Sequence, residues 1–205
     1  MRKHEISFQI LIIINFLILL GLLFLPPTAK ATGKDDLYSI PFPSEFTPAL
    51  LANGSPRYVS TGDIEKTIRS ESRMFKKLYH NKRINRFIVP RHAWLDELML
   101  SFHTTLRITG VHGKLETWDC ENYSGLLNAL ATIRIWRAGF YDTRGAIGWM
   151  RVDARKEWAG IPAQLHALMF AVTDDGVFVI EPQNGETTEL KNYPNKSYIE
   201  EAYLF

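Results

Sequence analysis

Three side chains in this 205-residue sequence have types and spacing suited to nucleophilic chemistry: Cys120, His166 and Glu181. Cys120 is the single cysteine, so an internal disulfide is excluded. A lone thiol is either reactive or a small buried apolar group. It lies in Trp118-Asp119-Cys120-Glu121-Asn122-Tyr123, where the pattern predicts the start of a helix. A helix start presents unpaired N–H groups and a partial positive charge, which favour thiolate over thiol and can hold an oxyanion. Asp119 and Glu121 oppose that field, so a base is needed close to the sulfur. His166 is the candidate, set between Leu165 and Ala167 in an apolar run; by itself it reads first as a satisfied core histidine. Glu181 adds the third member, since a thiol, an imidazole and a carboxylate form a nucleophile–base–orienter set.

Other reactive types are less ordered. His80, His92, His103, His112 and Cys120 are separated by twelve, eleven, nine and eight residues. No recognised metal-ligand spacing fits them, so no metal site is expected. Trp94, Trp118, Trp136, Trp149 and Trp158 invite a sugar-binding reading. Periodicity assigns Trp94 and Trp136 to packing, whereas Trp118 and Trp149 can line a cleft near Cys120 where a side chain or glycan stacks.

The elements that must position these groups follow from hydrophobic period. Ser60 with Asp63 predicts an N-cap, and Ile64, Ile68, Phe75 and Leu78 predict a helix over 62–79. A second helix is predicted over 91–107 and a third over 120–137, ended by Gly139. The period then switches, and 146–153, 163–173, 177–182 and 187–190 read as strands. Thr173-Asp174-Asp175-Gly176 is a hairpin turn, so His166 and Glu181 lie on paired strands. Helices followed by an antiparallel sheet predict an α+β domain over 61–205, after an extended, proline-rich lead-in over 32–60.

Composition sets the class. With 46% hydrophobic, 22% charged and 12% aromatic residues the chain is globular, and a formal charge of +2 excludes a strongly basic nucleic-acid binder. Residues 1–31 read as a signal peptide: Arg2 and Lys3, an apolar run from Ile10 to Leu25, then Ala29-Lys30-Ala31. An uncleaved anchor through residues 6–25 is the alternative; either way a secreted or periplasmic location is expected. That segment holds Arg2, Lys3 and Lys30 against Glu5, so the rest carries 21 of the 24 basic and 21 of the 22 acidic residues. Charge is uneven: nine Lys/Arg from Lys66 to Arg91 face only Glu71. Residues 62–91 therefore read as a solvated face or as a surface for an anionic envelope partner.

The segment Asp119-Cys120-Glu121-Asn122-Tyr123-Ser124, the pair His166-Ala167 and the run Glu181-Pro182-Gln183 resemble the transglutaminase-like/papain-like thiol hydrolase superfamily. The resemblance is closest to the C-terminal cysteine protease domain of Marasmius-type agglutinins and their microbial relatives. It covers roughly residues 115–188. It implies a papain-like/transglutaminase-like core with helices on an antiparallel sheet and the nucleophile at a helix N-terminus. Cys120 would then be the nucleophile, His166 the base and Glu181 its orienter, with Trp118 and Gln183 supporting substrate or oxyanion. The implied activity is an exported cysteine peptidase or amidase acting on a peptide, protein or peptidoglycan through a thioester. No cofactor is required, and calcium is admitted because some relatives depend on it. Two alternatives stand beside this reading: a non-catalytic exported or membrane-tethered binding module, and a transglutaminase-type acyl transferase.

Overall fold

The computed structural model describes residues 45–108 and 119–204. The predicted signal peptide or anchor and the stretch 32–44 of the lead-in lie outside these residues, as does Trp118. Ser60 and Asp63 cap each other reciprocally and start α1 (Thr61–Glu71), which follows the short strand β1 (Tyr58–Ser60). The helix expected to run to residue 79 stops at Glu71. Ser72 is buried and gives its hydroxyl to the Ile199 carbonyl at 2.8 Å, which draws the chain away from the helix axis. Phe75 and Leu78 still reach the core, but from extended chain leading through β2 (Lys77–His80). β3 (Arg86–Ile88) follows, then α2 (His92–Ile108) and α3 (Cys120–Arg137). The remaining strands are β4 (Arg144–Gly145), β5 (Ile147–Asp153), β6 (Leu165–Val172), β7 (Val177–Ile180), β8 (Thr187–Glu189) and β9 (Ile199–Leu204).

A six-stranded sheet has the order β2-β9-β5-β6-β7-β8, and a three-stranded sheet has the order β1-β3-β4. β2 runs parallel to β9 and β3 parallel to β4; the other pairings are antiparallel. The expected α+β, papain-like core with an antiparallel sheet is therefore corrected. Nine strands in two mixed sheets outnumber three α-helices among the described residues. The expectation failed because β1 lies in the expected lead-in, β2 overlaps the expected first helix, and β3 lies in a stretch to which no element was assigned. They are short strands, set by long-range pairing rather than by local period.

The large sheet is buried on both faces. Met150, Val152, Leu168, Phe170 and Val179 face one cluster, with Ile64 and Ile68 of α1. Ile147, Trp149, Ala167, Met169, Ala171 and Ile180 face the other, with α2 and α3. A strand covered on both sides reads as a continuous apolar run, which accounts for Leu-His-Ala-Leu-Met-Phe-Ala-Val in β6. On α3 the buried apolar positions are Tyr123, Leu127, Ala131 and Ile135, one stripe at i, i+4 spacing, with Ser124 buried beside them.

Candidate functional site

The thiol is placed by the start of α3. Asp119 is the N-cap, its carboxylate accepting from the Asn122 N–H at 3.0 Å, and Cys120 follows as the first helical residue, half-buried. Its Sγ accepts a hydrogen bond from the Ala167 N–H at 3.2 Å. That donor is free for a reason of register. Ladder bonds from Ala154 N–H to Gln164 and from Val172 N–H to Ala146 direct the even residues of β6 at β5, leaving 167, 169 and 171 for β7. β7 ends at Ile180, and the Glu181 N–H turns away to Glu186. Ala167 thus loses its ladder partner where the thiol arrives.

His166 and Glu181 meet on the same face of the sheet. Met169 pairs with Ile180, so Leu168 opposes Glu181 and His166 stands diagonally from it. Diagonal neighbours are within reach of long side chains. His166 Nε2 lies 2.5 Å from Glu181 Oε2, and both are buried, at 4% and 0% exposure. The second carboxylate oxygen accepts from the Gln183 N–H at 3.0 Å, so Gln183 enters the site through its backbone. His166 Nδ1 is buried with no hydrogen bond of ordinary geometry, yet Cys120 acts on the ring as a hydrogen-bond partner. The contact is therefore long or misaligned, as such contacts often are before a ligand tightens them. Burial pushes the imidazole pKa down, but Cys120 and Glu181 outweigh it and raise it to about 9.

Around the thiol stand residues that the sequence did not single out. Arg151 pairs in register with Ala167, on the face that α3 covers. A bulge between Arg151 and Val152 gives it two acidic neighbours, Glu200 at 3.6 Å and Glu201 at 3.9 Å. Burial and Asp119 raise the Glu121 pKa, while Arg151 opposes the shift. Trp149 is buried and stacks on Tyr203 at 4.0 Å, which stacks on Tyr79 at 4.7 Å. The indole is therefore a packing element with its face already taken. No signal in the sequence marks Arg151, because its place depends on the register of β5 against β6.

The predicted histidine set stays dispersed. His80 Nδ1 lies 3.2 Å from the Asn81 carbonyl, His92 lies between Asp96 and Asp175, and a Cβ on Gly185 would meet His103; His112 lies outside the described residues. Among the described residues no three His, Cys, Asp or Glu side chains group as metal ligands. The basic stretch 62–91 is divided among α1, β2 and β3, and Arg69, Lys76 and Arg91 pair with Glu65, Glu200 and Asp174.

No family model matches the chain, and no characterised protein matches it by sequence. Its fold is similar to that of several solved structures, including these two. One is a PSL1a–E64 complex, with a TM-score of 0.54 at 12% identity, covering 72% of this chain and 51% of that one. The other is Polyporus squamosus lectin bound to Neu5Acα2-6Galβ1-4GlcNAc, with a TM-score of 0.55 at 13% identity, covering 72% and 49%. The chain spans about half the length of each. These neighbours correct the expected membership of the papain-like or transglutaminase-like thiol hydrolases, and with it the cysteine peptidase or amidase. The fold is shared with a lectin, and the peptide or protein substrate loses its support.

Proposed function

We propose that the chain is an exported ligand-binding module whose partner carries a glycan, and that the ligand is met at the half-buried thiol of Cys120, backed by His166 and Glu181. The observation that carries this reading is the buried imidazole–carboxylate pair beside a half-buried thiol. Burying such a pair costs several kcal/mol of desolvation per ion, of order, which packing alone does not require. Folds retain costly polar clusters where a ligand is met. Glu121 beside the thiol offers a carboxylate of the kind that hydroxyl-rich ligands use. Support also comes from the similar fold of a lectin bound to a sialylated trisaccharide.

The test is protection of the thiol. Iodoacetamide alkylation of Cys120 is followed by mass spectrometry with and without saturating oligosaccharide, the sialylated trisaccharide and muropeptides being the first probes. A bound glycan is expected to slow alkylation about tenfold, the effect of roughly 90% occupancy. Glycan binding that leaves the rate unchanged would put the ligand elsewhere. Release of product beyond one equivalent per thiol from an amide or ester would overturn the binding reading.

A further inference from the structure

We infer that a second ligand site, for an acidic sugar unit of a polysaccharide, lies at the opposite end of α3 from Cys120. The helix has 18 residues and separates the two ends by about 27 Å. Beyond its C-terminus, the loop 139–143 and the segment 83–86 face each other across a cleft of about 410 Å³, with Tyr58 on its wall. That is within the range that holds small ligands. The loop is held to the start of β3, since the Thr143 hydroxyl donates to the Arg86 carbonyl at 3.0 Å.

The cleft is cationic. Arg83 and Arg86 line it against one acid, Asp142. Lys82 precedes them, and Arg137 lies in the last turn of α3. Among the described residues neither Arg83 nor Arg86 has an acidic partner; Arg86 lies over the Tyr58 ring, 4.7 Å from its centroid. A guanidinium held over an aromatic ring keeps its fork free for a carboxylate. Phe140 and Tyr141 complete the wall, and Tyr141 is 71% exposed, an aromatic surface turned to solvent. Free arginines beside an exposed aromatic ring match a ring-shaped ligand that carries an anion: arginine takes the carboxylate and the aromatic ring takes the apolar face of the sugar. A bare phosphate would leave the aromatic wall unused.

Calorimetric titration of the full chain tests this, with tetragalacturonate as the probe. Its fully methyl-esterified form, inorganic sulfate and single-stranded DNA of equal charge serve as the other arms. Tetragalacturonate is expected to bind, the ester about tenfold more weakly, and Arg83→Ala to weaken the acidic tetramer about tenfold. Asp142→Asn is expected to tighten it severalfold, a gain that a misfolded variant cannot mimic. Equal binding of the ester, displacement by sulfate or DNA at equal concentration, or an Arg83→Ala variant like wild type would each overturn the inference. Failure of tetragalacturonate to bind would do so while leaving glycan protection of Cys120 standing, because that readout belongs to the other end of the helix.

Discussion

At the scale of the residue, the His166–Glu181 pair dominates what can be measured. The folded imidazole titrates near 9 against a reference of 6.5. A raised pKa means that its stabilising contribution is fully present below 6.5 and is lost as pH rises through 9. Melting temperature should therefore fall across that interval, and the fall should flatten in His166→Asn. Differential scanning fluorimetry checks it. Glu181→Gln removes a charge that holds the proton, so the ring pKa should drop, read from the His166 ring signals by NMR. Glu181→Ala leaves the imidazole buried without its partner and should cost about 3–5 kcal/mol in urea unfolding. Cys120, His166 and Glu181 were legible because reactive side chains in apolar or helix-start settings stand out in a sequence. Ala167 N–H was not, because a backbone donor becomes available only where a neighbouring strand ends. Arg151 was hidden for a related reason: its place beside the thiol depends on the register of β5 against β6.

At the scale of the element, α3 and β5 carry the site. Leu127 lies in the buried stripe of α3, and Leu127→Ala should cost about 2–5 kcal/mol, with a faster alkylation of Cys120 as the helix loosens. Gly148 in β5 has no room for a methyl group. An added Cβ would collide with the Tyr203 carbonyl of β9, a backbone atom that cannot rotate aside. Gly148→Ala should therefore destabilise by about 1–3 kcal/mol or more, measured by chemical denaturation. The long helices and the central strands were legible because each is periodic or continuously apolar over many residues. The short strands β1, β2 and β3 were not, since three or four residues carry too little pattern and their pairing is set by partners up to 124 positions away, as for Lys77 and Glu201.

At the scale of the molecule, the last strand closes the sheet. β9 lies between β2 and β5, so it joins the early segment to the strands that carry the site. Ile199, Ala202 and Leu204 are fully buried there. Ending the chain at Tyr198 should abolish cooperative thermal unfolding, followed by circular dichroism; a retained sharp transition would mean that the sheet stands without β9. Likeness to the solved structures also belongs to this scale, since at 12–13% identity it is the arrangement of elements that is shared.

The sequence by itself determined where the two long helices lie and where the hairpin turns at Gly176. Each of those rests on local chemistry or on a period within one segment. Only the tertiary structure decided that β2 and β9 pair in parallel, that Ala167 offers its N–H to the thiol and that Arg83 and Arg86 face the 139–143 loop across a cleft. These depend on contacts between residues remote in sequence, whose energies are settled together when the chain packs.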